Sequence, residues 1–133
     1  EKRKENFRVL YDGLKDLPQL RLFSRYPESD PSWFGFLITL TDRAGFTRNE
    51  LTGHLESKKI QTRNLFAGNL TKHPCFESLK EGVDYRIAGE LVNTDKIMND
   101  AFWIGLYPGM SKEKLDYMIQ VLQCFLAEKG KRE

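Results

Sequence analysis

The residues best suited to chemistry concentrate between Ile60 and Asn69, where the sequence reads IQTRNLFAGN. The guanidinium of Arg63 offers a planar fork of donors that suits a carboxylate or a phosphate, and a structural ion pair is its alternative use. Phe66 fits either a core position or the wall of a ligand pocket. Asn69 carries both a donor and an acceptor, although Gly68 beside it also fits a simple turn. The segment therefore predicts a loop that contacts a ligand.

Two histidines and one amide-rich segment are the other candidates. His54 lies within a predicted helix, where a surface or packing role is the favoured interpretation. His73 lies in a predicted loop, and both a functional and a structural role stay open for it. In the segment NTDKIMND, helix capping by Asn93 or Thr94 and attraction of Asp95 to the helix dipole explain the polar residues without a metal site.

Composition narrows the function classes. The 133 residues are 40% hydrophobic and 30% charged, which fits one globular domain. Because 21 basic residues are interspersed with 19 acidic ones, a net charge of +2 gives little support to a nucleic-acid partner. The apolar runs are far shorter than the roughly 20 residues that span a bilayer, so we expect a soluble, cytoplasmic protein without a membrane partner.

Sequence motifs for catalysis or metal binding are missing from this stretch of sequence. It contains no GxSxG elbow, HExxH pair, P-loop or GxGxxG fingerprint, so we expect no catalytic residue here. Cys75 and Cys124 are far apart and lack CxxC spacing, which argues against a zinc site or an iron–sulfur cluster built by this chain alone. Both are expected to be free thiols.

Hydrophobic periodicity places these residues on elements. Apolar residues at helical spacing predict a first helix that Pro18 ends, and the alternation after Ser32 predicts a strand buried on one face. Thr47 and Glu50 form a capping box for a second helix. The remaining predictions are short strands over 19–26 and 60–66, a helix capped by Asn93 or Thr94, a strand from Phe102, and an amphipathic last helix from Ser111 to about Gly130. The residues expected on the buried face of the strand after Ser32 are Phe34, Phe36, Ile38 and Leu40.

The order of these elements predicts the architecture. Three strands, not counting the short segment 19–26, and four helices in alternation imply an α/β, α+β-like sandwich, with a small antiparallel or mixed sheet and helices packed on one face. The chain opens without Met, as if already inside a helix, so we expect a piece of a longer protein.

Four blocks of sequence resemble a known family. They are PSWFGFLITL from Pro31, IQTRNLFAGNL from Ile60, NTDKIMNDAFWIGLYPG from Asn93, and the closing amphipathic helix. Together, over about 31–125, they resemble the sugar 3-dehydrases, and most of all those that make CDP-linked dideoxysugars for lipopolysaccharide. These are relatives of the DegT/DnrJ/EryC1/StrS sugar aminotransferases. The resemblance implies the small C-terminal domain of the fold-type I aspartate aminotransferase architecture, with residues 1–30 as a linking helix and turn and residues 31–133 as the small domain.

The resemblance also implies chemistry that lies mostly outside this chain. In this family pyridoxamine phosphate reacts with a nucleotide-linked 4-keto-6-deoxy sugar, and the C3 hydroxyl is expelled. The active-site His, the phosphate cup and the Asp beside the cofactor belong to a large N-terminal pyridoxal phosphate domain, so no cofactor-binding or metal-binding residue is expected here. A homodimeric parent, a reductase partner and a [2Fe–2S] cluster in the parent are further implications. The cluster cysteines do not map onto Cys75 or Cys124.

For the loop, the resemblance implies substrate contact by Arg63, Phe66 and Asn69, with Arg63 as the anion partner and Phe66 as an apolar shield. Leu65 and Phe66 stand where the aminotransferase relatives carry a His–aromatic pair, which favours a dehydrase. The chain departs from the family at Lys59, where Gly is usual, and after Arg63, where Pro is usual. Two alternatives stay open: a sugar aminotransferase of the same fold, and a free-standing α/β module for ligand binding or dimerisation.

Overall fold

The computed structural model describes residues 1–130. Its helices and strands follow one another as α1 (Lys2–Leu14), β1 (Leu20–Leu22), β2 (Gly35–Leu40), α2 (Arg48–Ser57), β3 (Thr62–Asn64), α3 (Val92–Asp100), β4 (Ala101–Gly105) and α4 (Lys112–Lys129). The strands form one sheet in the order β1-β2-β4-β3, and every neighbouring pair is antiparallel. Two short 3-10 turns, Leu70–Lys72 and Pro74–Phe76, lie in the long connection between β3 and α3.

One face of the sheet forms the core. On β2 the side chains of Phe36, Ile38 and Leu40 alternate with less buried neighbours, as a half-buried strand requires. Phe36 and Ile38 pair with Ile104 and Phe102 of β4, and all of them pack with apolar residues of α1, α2 and α4. The opposite face carries Leu37, Trp103 and Arg63 in register and is called the open face below.

The long last helix was predicted correctly from its periodicity. Ser111 accepts a hydrogen bond from the backbone N–H of Lys114 at 3.4 Å, so it caps α4 as expected. The buried stripe of the helix comprises Leu115, Met118, Val121, Leu122, Phe125 and Leu126. Within residues 1–130, no helix combines the length and the apolar character needed to cross a membrane.

The first 30 residues contribute to the same core. Phe7, Leu10 and Leu14 of α1 are buried together with residues of α4, and β1 adds an edge strand to β2. Helix α1 therefore packs into the same core as the rest of the described chain. The division near residue 30 into a linking segment and a small domain stays a prediction.

Two element predictions were wrong. The sheet has four strands, not the three counted from the alternation, because Leu20–Leu22, inside the short strand predicted over 19–26, pairs with β2 as an edge strand. Phe34 was expected on the buried face but is 70% exposed. Pairing of β2 begins only at Gly35, so the alternation does not extend back to Phe34, whose ring lies 5.1 Å from that of Trp103.

The capping prediction for α3 was also wrong. Leu91 occupies the N-cap position and no side chain caps the helix, while Asn93 and Thr94 lie inside the first turn. The reason is that the backbone N–H of Asp95 already bonds to the carbonyl of Leu91 at 2.8 Å, so the helix starts earlier than the polar residues suggest. The capping box of α2 is present as predicted.

Candidate functional site

The candidate loop begins at the end of α2. Lys59 has a φ of 64°, and the backbone N–H groups of Lys59 and Ile60 donate to the carbonyls of Glu56 and Leu55 at 3.0 and 2.9 Å. These two hydrogen bonds reverse the direction of the chain after the helix. Ile60 is buried and leads into β3, where both the N–H and the hydroxyl of Thr62 donate to Glu56. The burial of Ile60 and the hydrogen bonds of Thr62 to Glu56 therefore fix the backbone that directly precedes Arg63.

Arg63 lies on the open face, directly opposite Trp103 of β4. Its side chain is exposed, and it makes no ion pair with any residue in the described part of the chain. Hydrogen bonds from Thr62 lower the pKa of Glu56, and the positive charge of Arg63 adds a smaller effect. Because Glu56 is already held by Thr62, the guanidinium donors of Arg63 can bind an external anion.

Phe66 borders an apolar pocket next to Arg63. It is 76% exposed and lines a shallow depression of about 150 Å³ together with Phe34, Leu37, Leu65 and Trp103. A half-open apolar surface of this kind favours the C–H faces and methyl groups of a ligand. The structure therefore brings two of the predicted site residues, Arg63 and Phe66, to one surface.

Asn69 is placed differently. It is 2% exposed, and its side-chain nitrogen donates to Asp95 at 2.7 Å. Its side-chain oxygen accepts from the backbone N–H and the hydroxyl of Thr71, which caps the first 3-10 turn. Hydrogen bonds from Lys72 and then Asn69 hold the pKa of Asp95 below its usual range. Asn69 thus ties the loop to α3 from the interior. It does not lie on the surface that Arg63 and Phe66 share.

The tip of the loop is fixed against α3 by close packing. Gly68 has a φ of 64°, and a Cβ added there would lie 2.5 Å from Cβ and Cγ of Met98. Only glycine tolerates both the left-handed backbone and the close approach. His73 donates from Nε2 to the carbonyl of Ala67, which closes the loop on its other side. The exposure of Phe66 is therefore a property of an anchored loop.

Trp103 is the residue that the sequence analysis does not single out. It is only partly buried and lies on the open face between Phe34 and Arg63. The alternation of buried Phe102 and Ile104 around it is the sequence signal that points to the opposite face. To place Trp103 on the open face from this alternation, one must know which face of the sheet the helices cover.

Residues 1–130 contain no group of three or more His, Cys, Asp or Glu side chains arranged to hold a metal ion. Cys75 and Cys124 are both exposed free thiols. The polar residues of α3 have other uses, since Asp95 binds Asn69 and Lys72, and Asp100 pairs with Lys96 at 2.9 Å.

Two related proteins match almost the whole chain. The dTDP-4-dehydro-2,6-dideoxy-D-glucose 3-dehydratase of Saccharopolyspora spinosa is 47% identical over 126 residues, which cover 95% of this chain and 26% of that protein. The lipopolysaccharide biosynthesis protein RfbH of Salmonella typhimurium is 49% identical over 126 residues, covering 94% of this chain and 28% of that protein. The chain thus spans little more than a quarter of the length of these relatives.

Solved structures agree on the fold. The E. coli GDP-4-keto-6-deoxy-D-mannose-3-dehydratase with bound hydrated PLP superposes with a TM-score of 0.77 at 25% identity, over 90% of this chain and 30% of that one. The aminotransferase TlmJ from Streptoalloteichus hindustanus reaches a TM-score of 0.75 at 16% identity, over 96% of this chain and 31% of that one. The predicted small α/β sandwich of the fold-type I architecture is confirmed.

A match to a family model confirms the predicted resemblance independently of any single relative. The model of the DegT/DnrJ/EryC1/StrS aminotransferase family matches residues 1–123, which include α1, the whole sheet, the candidate loop and most of α4. The chain belongs to the DegT/DnrJ/EryC1/StrS aminotransferase family.

Proposed function

We propose that this chain is the C-terminal, substrate-facing domain of a pyridoxamine phosphate-dependent sugar nucleotide 3-dehydratase. The parent protein acts in the cytoplasm, in the synthesis of dideoxysugars for lipopolysaccharide O-antigen. The observation that carries the proposal is the joint position of Arg63, Trp103 and the Phe66 pocket on the open face. Relatives at 47% and 49% identity that are named for 3-dehydration of a sugar nucleotide and for lipopolysaccharide biosynthesis support the reaction class.

The loop residues have separate roles in this proposal. Arg63 binds an anionic group of the sugar nucleotide through its guanidinium donors. Phe66 shields the apolar side of the sugar, since a 6-deoxy sugar presents a methyl group where other hexoses present a hydroxyl. Substrate contact by Asn69 is the weakest of the three predictions, because its amide already bonds to Asp95 and Thr71 in the interior. We assign Asn69 to positioning the loop.

Pyridoxal phosphate does not fit the residues described here. The ring of His54 packs against Phe125, with centroids 4.9 Å apart, and His73 is bonded to the carbonyl of Ala67. Asp95 is held by Lys72 and Asn69. No reaction step is therefore assigned to the cofactor on this chain. The rest of the parent protein supplies the cofactor and the electron sink for expulsion of the C3 hydroxyl.

The partners follow from the same family assignment. We propose a homodimeric parent that works with a separate reductase on a nucleotide-linked 4-keto-6-deoxy sugar. An iron–sulfur cluster, which the resemblance allows in the parent, is placed outside this segment because Cys75 and Cys124 are single, exposed thiols.

The proposal is tested by Arg63→Ala in the full-length parent enzyme, with steady-state kinetics on its sugar nucleotide. Loss of a charge-assisted contact predicts a fall in kcat/KM of about thirtyfold, or roughly 2 kcal/mol, seen mainly as a higher KM. Arg21→Ala is the matched control. Arg21 is also exposed and lies in register on the open face, but on the opposite edge strand, β1.

Equal kinetic constants for Arg63→Ala and Arg21→Ala would show that the loop does not contact the substrate. A full-length protein that binds the sugar nucleotide but releases an aminated sugar would instead overturn the dehydratase assignment. The two results are separable because the first is a ratio between variants and the second is the identity of the product.

A further inference from the structure

Helix α3 contacts both the sheet and the candidate loop, and its C-terminal end is fixed from α2. Nη1 of Arg48, the first residue of α2, donates to the carbonyls of Met98 and Ala101 at 3.1 and 3.3 Å. A cation at this place also interacts favourably with the negative end of the helix dipole. Lys96 adds an ion pair of 2.7 Å to Asp42, in the connection between β2 and α2. The rest of the domain therefore sets the position of α3.

The tip of the candidate loop is attached to this fixed helix through two consecutive residues. Gly68 approaches Met98 so closely that a Cβ would lie 2.5 Å from that side chain. The buried side chain of Asn69 donates to Asp95 at 2.7 Å. Asp95 and Met98 are three residues apart on α3, so they are neighbours on one face of the helix. The loop therefore rests on a single face of α3.

The hydrogen bonds of Asn69 determine how its side chain is oriented. Its oxygen accepts from the backbone N–H and the hydroxyl of Thr71 at 3.1 and 2.7 Å. Among residues 1–130, its nitrogen donates only to Asp95. Because the amide is buried, removal of the Asp95 carboxylate would leave a donor without a partner, and such a group costs more than one hydrogen bond contributes.

Phe66 is joined to this anchor by two residues with a left-handed backbone. Ala67 has a φ of 39° and Gly68 a φ of 64°. A positive φ is uncommon for a residue with a Cβ, and Nε2 of His73 holds the carbonyl of Ala67. The path of the chain from Asn69 back to Phe66 is thereby fixed. A shift of Asn69 would therefore move the exposed ring of Phe66.

We propose that Asp95 is a positioning residue for the substrate pocket: its carboxylate, presented by α3, holds Asn69 and so sets the position of Phe66. The inference rests on the proposed function and extends it to a residue that does not contact the substrate. Lys72 also pairs with Asp95 at 2.9 Å, but its side chain is 53% exposed, and exposed ion pairs contribute little. The hydrogen bond to buried Asn69 is therefore the contact that matters.

The experiment uses the full-length parent and steady-state kinetics on its sugar nucleotide. Asp95→Ala should lower kcat/KM about tenfold, mainly through a higher KM, because one wall of the pocket is displaced. Asp95→Asn should stay within about threefold of wild type, since its amide oxygen still accepts from Asn69. Asp100→Ala is the matched control and should leave kcat/KM unchanged, because this carboxylate of the same helix pairs with Lys96. Thermal unfolding of each variant identifies any loss of folded protein.

A double variant shows whether Asp95 acts through Phe66. In the Phe66→Ala background, Asp95→Ala should lower kcat/KM less than about twofold, because no ring is left to be displaced. Independent effects, which would multiply in the double variant, would overturn the inference. Equal losses for Asp95→Ala and Asp95→Asn would also overturn it, because they would trace the effect to the charge of Asp95 and not to its hydrogen bond with Asn69.

Amide hydrogen exchange in the full-length parent, without substrate, tests the anchor independently of catalysis. Asp95→Ala should speed exchange about tenfold over residues 65–73 and leave residues 35–40 of β2 unchanged, whereas Asp100→Ala should change neither. Unchanged exchange in the loop would overturn the inference even if Arg63→Ala lowered kcat/KM, and the proposed function would stand. Faster exchange together with unchanged kinetics for Arg63→Ala and Phe66→Ala would keep the anchor and remove the substrate role of the loop.

Discussion

At the scale of single residues, the end of α2 shows how a side chain can occupy a glycine position. The N–H groups of Lys59 and Ile60 satisfy carbonyls of the last turn, and buried Ile60 belongs to the same apolar cluster as Leu55. Helices that end in this way usually carry Gly at the left-handed position. Here the left-handed residue is Lys59, with a φ of 64°. The hydrogen bonds and the packing of Ile60 outweigh the backbone cost.

Lys59→Gly should stabilise the chain by up to about 1 kcal/mol, because Gly relieves the left-handed strain and keeps both hydrogen bonds. The measurement is the urea unfolding midpoint. Lys58→Gly is the control: its φ is −93°, so Gly gains nothing there and adds only flexibility to the unfolded chain. A lower midpoint for Lys59→Gly than for Lys58→Gly would contradict the strain argument.

At the scale of elements, the first turn of α2 depends on one ionised carboxylate. Glu50 accepts hydrogen bonds from the backbone N–H and the hydroxyl of Thr47, and its other oxygen accepts from Lys129 of α4. The Lys129 hydrogen bond is the largest cause, and with Thr47 it lowers the pKa of Glu50 from 4.5 to about 2. Glu50 therefore fixes the helix start and also joins α2 to the end of α4.

The lowered pKa determines the direction of an acid effect. A carboxylate with a folded pKa below its unfolded value adds stability above the unfolded pKa and loses it as the pH falls through the folded one. The contribution of Glu50 is complete above about pH 4.5 and disappears toward about pH 2. Glu50→Gln should lower the urea midpoint at neutral pH and flatten its fall over this acid range. Glu128→Gln, an exposed change on α4, is the control. Parallel acid profiles for wild type and Glu50→Gln would refute the assignment.

How far the sequence predicts this fold depends on the range of the interactions. The capping box of Thr47 and Glu50 and the stripe on α4 need only neighbours within one or two turns, and both were predicted. The exposure of Phe34 and the position of Trp103 depend on where β2 and β4 begin to pair. The burial of Asn69 depends on Asp95, which is 26 residues away in the chain. Single-sequence patterns do not contain such long-range pairings.

At the scale of the whole molecule, the first and last helices pack on each other. Leu10 and Leu14 of α1 share a buried cluster with Leu122 of α4. The side chain of Gln123 donates to the carbonyl of Gly13 at 2.9 Å. A Cβ added at Gly13 would lie 2.6 Å from Cδ1 of Ile119. The glycine that weakens α1 as an isolated helix therefore permits the contact that joins the two ends of the described chain.

This contact predicts opposite effects for one substitution at two helical sites. Gly53 of α2 has no atom within 4 Å of an added Cβ, so Gly53→Ala should stabilise the protein by about 0.5–1 kcal/mol through helix propensity. Gly13→Ala gains the same propensity, but overpacking against Ile119 costs about 1–3 kcal/mol, so we expect a net loss. Urea unfolding of both variants gives the comparison. If Gly13→Ala stabilised the protein as much as Gly53→Ala, α1 would not pack on α4 as closely as described. Restoration of stability by Ile119→Val in the Gly13→Ala background would support the contact, because the smaller side chain makes room for the added methyl group.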